Sequence, residues 1–505
     1  MNGFSRFLIS AKLKMFVLLI INIAIYVFCS LIGLWYIYFG VALLIAITSA
    51  FVLANKKERD SYKVLVFMLI LLLPFAGIGY GVIFRDNKGN AKIKKEWSEI
   101  IYRNRKNIFQ NMETLNTLKT INPTVYKASS YIISSVGMPC YQNAKVKYFS
   151  FGEAYFKDLF EECQKAKSYI LLECHKIVPG KVWTDLFDIL RFKAREGVTV
   201  KLVYDDAICT NYISPIDFLK LKNHGIETVP FNKVKKINGD FINCRNYKRL
   251  CVIDGHTGFI GGFDISDEYV NSIESSNATK DCAVKIQGDS VRNLIVMFFE
   301  DYQFASKKVI NLQDYFVENK QETTKDWVLP YSTNPINLEH TNKNLLLELI
   351  YNAKENISIT TTYLALDDEL KNALIATANS GVKVRLVFSG AKEKKKSQIL
   401  ARSYFVDLIK EGIEVYEYTG GKMSTRLIVV DNNFAYISTT KLDCFSTYKH
   451  FNAGIYVYGE GVILMYNDMR EIIGASQLIT IKDMQKRKIR EKISATWGKF
   501  IALFK

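Results

Sequence analysis

One local design occurs twice in this chain, and that duplication limits the folds open to it. The first copy runs from Arg245 to Tyr269. Basic residues Arg245, Lys248 and Arg249 lead into an apolar run ending in Val252-Ile253. A turn at Asp254-Gly255 follows, then a second apolar run through Ile260 to Gly261-Gly262. In the second copy Arg426 stands five residues before Asp431, as Arg249 does before Asp254, and Phe434-Ala435-Tyr436-Ile437 follows. The surroundings repeat too: Ala166, Gly197 and Gly225, each before an apolar run, return as Ala353, Gly381 and Gly412 at offsets of 187, 184 and 187 residues. Apolar runs alternating with helical patterns predict an α/β fold with a mainly parallel sheet and helices on both faces, built twice. Ligand sites in such folds lie at the carboxyl ends of strands. Asp205-Asp206 and both Arg-x4-Asp stretches are expected there.

The N-terminus sets the environment. From Met15 to Ala54 no residue is charged. Forty helical residues would reach about 60 Å, twice the roughly 30 Å hydrocarbon core, so the stretch reads as two spans, about 15–33 and 35–54. A third candidate, 64–84, is interrupted by Pro74 and Gly77. Residues 1–85 are therefore expected to be a membrane region of two to three spans. Basic residues flank both ends, so charge does not fix the orientation. The nine cysteines are scattered and odd in number, which argues against a disulfide framework or metal site and for a reducing compartment. The expectation is a multi-pass cell-membrane protein whose main domain is cytoplasmic. The formal net charge of +17 favours anionic partners.

Residues 86–144 read as a basic juxtamembrane connector, solvated and helical. The first α/β half is expected over 145–312, with its motif at 241–268. A surface linker carrying Pro330 and Pro335 is expected over 313–343. The second half follows over 344–480, with its motif at 418–445. The tail 481–505 is basic and carries Trp497, Phe500, Ile501 and Phe504 at helical spacing. It suits an interfacial helix or a helix docked on the protein.

With these residues in place the chain resembles a bacterial cardiolipin synthase of the phospholipase D superfamily. The likeness rests on Leu71-Leu72-Leu73-Pro74 with Gly77 and Tyr80, on Asp254-Gly255 through Gly261-Gly262-Phe263-Asp264-Ile265-Ser266-Asp267-Glu268-Tyr269, and on Thr361-Thr362-Tyr363 and Tyr416-Glu417-Tyr418. The resemblance implies two phospholipase D-like α/β/α halves packed as a pseudo-dimer behind N-terminal transmembrane helices. It implies no cofactor and no metal. The family's chemistry depends on two H-x-K-x4-D motifs. One His attacks phosphorus, the other serves as acid and base, and the two Lys neutralise phosphate oxygens.

This chain departs from that pattern at the decisive positions. The His positions hold Tyr247 and Ser424, and the Lys positions hold Arg249 and Arg426. Asp254 and Asp431 keep the closing carboxylates. Of the carboxylates that would orient each His, the first is kept as Asp281 and the second is Asn452. The Asn after each motif has become Asp264 and Lys441. Arg249 and Arg426 keep the charge for phosphate binding. A phenol of pKa about 10 is a poor nucleophile at neutral pH. His175 and His450 are candidate substitute bases. Two functions follow. One is a membrane-anchored pseudoenzyme that binds anionic phospholipid (phosphatidylglycerol or cardiolipin) or modulates an active paralogue. The other is a divergent active synthase transferring a phosphatidyl group between two phosphatidylglycerol molecules. The apolar spans argue against nucleic acid as a partner.

Overall fold

The structure, a computed structural model, describes residues 11–54, 66–71, 73–74, 77–78, 91–233, 244–271, 279–319, 324–336, 341–390 and 395–485. The chain divides into two compact units, one formed chiefly by Met1–Asn90 and the other by Ala91–Ile237 with Asn243–Lys499.

In the first unit, helices Ala11–Leu31 and Trp35–Ala54 form a hairpin. It turns at Gly33, whose φ of +74° suits a residue without Cβ. Asn22 donates from Nδ2 to the Tyr38 hydroxyl at 2.8 Å, and Ala46 is buried against Val66 and Ile70. Phe28, Leu31 and Leu44 are exposed. Among the described residues no helix is long and apolar enough to cross a membrane. The expected two to three spans therefore find no support there. Side chains are described only for 16–31 and 35–49 of these helices, and for short pieces of 64–84.

The second unit is a mixed α/β fold built on two large sheets. The first has seven strands in the order Lys145–Phe149, Ala283–Gln287, Thr257–Gly261, Leu250–Ile253, Tyr169–Cys174, Thr199–Asp205, Ile226–Phe231. The nine-stranded second sheet repeats that order as Trp327–Thr333, Asn452–Tyr458, Phe434–Ser438, Leu427–Val430, Asn356–Thr361, Lys383–Ser389, Glu414–Tyr418, with Tyr141–Gln142 and Ser476–Leu478 added at its edges. Tyr169–Cys174 is buried throughout, as the apolar run Tyr169–Leu172 requires. Gly197 and Gly381, at φ of +89° and +93°, end helices Lys181–Arg195 and Asp368–Asn379, their N–H groups donating to Ala194 and Ala378. That left-handed stop is the source of the repeated glycine.

Three expectations need correction. The sheets are not mainly parallel. Only the strands beginning at Tyr169, Thr199 and Ile226, and their counterparts at Asn356, Lys383 and Glu414, run parallel within each large sheet. The Asp254-Gly255 turn folds its flanking strands into a hairpin, and a tight turn can join only antiparallel strands. The 313–343 segment is not a plain surface linker. Trp327–Thr333 is a fully buried strand paired along its length with Asn452–Tyr458, so the second half begins before 344. Pro330 disguises it; the strand tolerates a Pro because Tyr141–Gln142 pairs only with Trp327 and Val328 on the other side. The connector is not solvated. Helix Ala91–Arg105 packs on helix Val291–Ser306. Trp97 is buried against Phe304 and Phe451 at ring separations of 4.9 and 5.1 Å, and Arg105 forks onto Glu300 at 2.7 and 3.0 Å. Tail residues 486–505 lie outside the described residues.

The two sheets exchange short segments. Thr279–Lys280 pairs in parallel with Lys422–Met423, and Asn246 bridges Phe451. These joints carry the residues singled out by the sequence.

Candidate functional site

Each Arg-x4-Asp stretch is a strand with its functional ends apart. Asp254 and Asp431 close the far ends. Asp254 accepts from the backbone N–H groups of Lys167, Ser168 and Tyr169 at 2.7–2.8 Å, and Asp431 from those of Lys354, Glu355 and Asn356 at 2.8–3.1 Å. Both sit at positive φ, +51° and +48°. They hold the start of the neighbouring antiparallel strand, Tyr169–Cys174 or Asn356–Thr361, rather than entering a cleft. Tyr247, Arg249, Ser424 and Arg426 stand at the other ends of the same strands.

Those other ends meet through the exchanged segments. The Tyr247 N–H donates to the Phe451 carbonyl at 2.8 Å, and the Ser424 N–H to the Lys280 carbonyl at 2.7 Å. Each motif position is thus fixed by the opposite half, beside the position of that half's orienting group, Asn452 or Asp281.

The Tyr247 ring lies between two imidazoles. His175 stacks on it at 4.0 Å and 22°, and His450 at 4.2 Å and 25°. The Lys441 ammonium lies 5.2 Å from its centroid. Burial pushes the Tyr247 phenol above its ordinary pKa, outweighing the pull of Arg249 and Arg426. Burial, with the nearby Arg249 charge, lowers His175 to about 3. His450 falls well below its ordinary value through burial and the Lys441 charge. The His175 Nδ1 lies 2.6 Å from the Asn246 carbonyl, an acceptor, so Nδ1 carries the proton. An imidazole lone pair lies in its own ring plane. In a near-parallel stack that plane passes beside the phenol, so neither histidine directs a lone pair at the Tyr247 hydroxyl.

The arginines are engaged internally. Arg249 forks onto Asp264 at 2.7 and 3.0 Å and donates its third group to the Tyr247 carbonyl at 2.9 Å. Both side chains are 7% exposed. Burial works against the Asp264 carboxylate, but Arg249 holds it below the ordinary range. Arg249 and Asp264 thus form a buried, two-pronged ion pair. Arg426 donates to the carbonyls of Ser424 and Thr439 at 3.1 and 2.9 Å and stands 3.6 Å from Asp281. Burial raises Asp281 despite Arg426. Gly262 makes room for that carboxylate, since a Cβ there would lie 2.1 Å from its Oδ1. The cavity bordered by Glu173, Arg249 and Asp264 holds about 10 Å³, roughly one water.

Sequence reasoning missed the layer beneath. Asn246 donates to Glu173 at 2.5 Å and to Asp301 at 3.0 Å, and the buried Lys248 pairs with Asp301 at 2.8 Å. Burial and the Asp301 charge raise Glu173 well above the carboxylate range. Asp264 was the one available signal for the closed arginine: an acid where the family has Asn, beside a Lys turned Arg. The other acids of the stretch are structural, Asp267 capping the N–H groups of Lys181 and Val182 at 2.9 and 2.8 Å and Glu268 pairing with Lys176 at 2.5 Å.

A family model described as cardiolipin synthase, PLD-like domain, matches residues 346–471. A cardiolipin synthase of Geobacillus thermodenitrificans is 30% identical over 345 residues, 68% of each chain. A probable cardiolipin synthase of Bacillus subtilis is 26% identical over 453 residues, covering 88% of this chain and 89% of its own. An uncharacterised protein of Streptococcus mutans is 30% identical over 460 residues, 88% of this chain and 97% of that one. In fold, the phosphatidylserine synthase of Haemophilus influenzae superposes with a TM-score of 0.55 at 11% identity, covering 75% of this chain and 97% of that one. Sequence likeness through both duplicated sheets, joined to that fold, identifies the chain as a member of the cardiolipin synthase-like family of the phospholipase D superfamily.

Proposed function

We propose that this protein is a catalytically silent cardiolipin synthase-like protein that works at a membrane by binding anionic phospholipid or modulating an active paralogue. The observation that carries the reading is the Tyr247 ring stacked between His175 and His450. It fills the place of the family's nucleophile with a protonated phenol between two neutral imidazoles. The Arg249–Asp264 pair supports it, because a guanidinium already forked by a carboxylate has little left for phosphate oxygens. Loss of the acid–base group alone would cost about 10²–10⁴-fold in rate. Without the nucleophile the covalent route is absent.

Membrane attachment rests on the uncharged run from Met15 to Ala54 and the exposed Phe28, Leu31 and Leu44. Free, buried cysteines in the main unit, among them Cys163, Cys174 and Cys251, support a reducing, cytoplasmic side. The net charge of +17 favours phosphatidylglycerol or cardiolipin over zwitterionic lipid.

The test is an assay of the full chain in phosphatidylglycerol vesicles, following cardiolipin formed and glycerol released. We expect no turnover above a protein-free control, with binding to these vesicles stronger than to phosphatidylcholine. Turnover that Tyr247→Phe or Ser424→Ala abolishes would overturn the reading in favour of an active, divergent synthase.

A further inference from the structure

The duplicated fold contains its own control for a second site. In the first sheet Lys201 lies opposite Glu227, and in the second Arg385 lies opposite Glu414. The same face of each sheet is covered by a helix, Val291–Ser306 or Val462–Gly474. The offset of 171 residues that carries Ala283 onto Gly454 in the sheets also carries Val291 onto Val462. It places Met469, Arg470 and Ile473 where the first half has Phe298, Phe299 and Tyr302.

In the first half those rings close the face. Tyr302 is fully buried and donates to Glu227 at 2.7 Å, and the Lys201 ammonium reaches the same carboxylate at 2.5 Å, 5.0 Å from the Tyr302 centroid. In the second half the rings are gone and a cavity of about 330 Å³ opens. Its cationic lining is Lys383, Arg385 and Arg470, and Tyr416, Tyr466 and Ile473 form part of its wall. Glu414 is shared between Lys383 at 3.1 Å and Arg385 at 3.3 Å and also accepts from Tyr416 at 2.9 Å. Arg470 stands beside the Tyr466 ring at 5.8 Å. Lys383 and Arg385 share the Glu414 carboxylate, and Arg470 adds a third cation, so among the described residues this group leaves two positive charges uncompensated at a cavity with an apolar floor of Val429, Met469 and Ile473.

We propose that this groove is a binding site for a phosphate-ester anion, separate from the Tyr247 region. A phosphate carries up to two negative charges and presents oxygens that an Arg fork and a Lys point charge match. The apolar floor and the two tyrosine rings fit a small organic body attached to it, and the volume lies at the lower end of small-ligand pockets, roughly 300–1,000 Å³. The ester is either a free phosphorylated molecule or the head group of a lipid.

The inference does not rest on the silence of Tyr247, and its test keeps the two apart. Full-length protein in detergent is titrated calorimetrically with glycerol 3-phosphate, and its flotation with phosphatidic acid vesicles is compared with phosphatidylcholine. We expect binding in at least one arm, which identifies the source. Two variants should weaken it about tenfold or more: Arg470→Gln, which removes an exposed cation, and Ile473→Tyr, which rebuilds the first-half plug while leaving every charge in place. Tyr247→Phe should leave it unchanged. No binding in either arm would overturn the proposal, as would affinity equal to wild type in both groove variants.

Discussion

At the residue scale the stack of His175, Tyr247 and His450 replaces reactivity with packing. Both histidines must stay neutral to be buried there, and that requirement is measurable. In the unfolded chain an imidazole takes a proton below about pH 6.5, whereas His175 folded resists until about 3. Between those values the unfolded chain binds more protons. The contribution to stability is therefore complete above about pH 6.5 and is lost as pH falls towards 3, at a slope of about 1.4 kcal/mol per pH unit for each such histidine. His450 shifts in the same direction. We expect the urea midpoint to fall between about pH 7 and about pH 5. His175→Phe, which keeps a ring against Tyr247, should remove about one proton's share of that fall. An identical pH slope in the variant would show that His175 is not held neutral by the fold.

At the element scale, legibility in the sequence followed the range of the interactions. The glycines that stop helices before strands were readable, because a left-handed residue after a helix is a local requirement; so was the turn at Asp254. The strand Trp327–Thr333 was not. Buried on both faces, it lacks the alternation that marks a half-exposed strand, and its Pro330 imitates a break. The closed site was half readable. Asp264 marks a changed partner for Arg249, but the stacking of His175 on Tyr247 joins residues 72 positions apart and has no local signature. Helix Ala91–Arg105 is illegible for a related reason: it carries a basic surface, and one residue, Trp97, decides its placement. Trp97→Ala should cost about 3–5 kcal/mol, a large share of a typical total of about 5–15 kcal/mol. Trp97→Phe should cost markedly less. Because Phe451 also accepts the Tyr247 N–H, hydrogen exchange at that amide should quicken in the alanine variant. A Trp97→Ala protein with the wild-type urea midpoint would make the helix an accessory rather than part of the core.

At the scale of the whole molecule each duplicated half completes the other's site, so the two are expected to fold as one unit. The sequence revealed the duplication through its near-constant offsets but not the exchange, which depends on two-residue strands drawn from opposite halves. One buried ion pair tests the coupling. Asp468, in the second half, accepts from Lys280 of the first at 2.7 Å and from the Tyr148 hydroxyl at 2.6 Å. The two charged side chains are 6% and 3% exposed. Asp468→Ala leaves the Lys280 ammonium buried without its carboxylate, at a cost of about 3–5 kcal/mol, whereas replacing both charges by apolar residues of similar volume is closer to neutral. If the halves open together, Asp468→Ala should reduce hydrogen-exchange protection equally in strands Leu250–Ile253 and Leu427–Val430. Lys280→Met with Asp468→Leu should recover most of it. Protection lost in the second sheet alone would mean that each half folds by itself and that the exchanged segments only dock. The stack around Tyr247 would then form after folding, and changes at the joints would loosen it without unfolding either sheet.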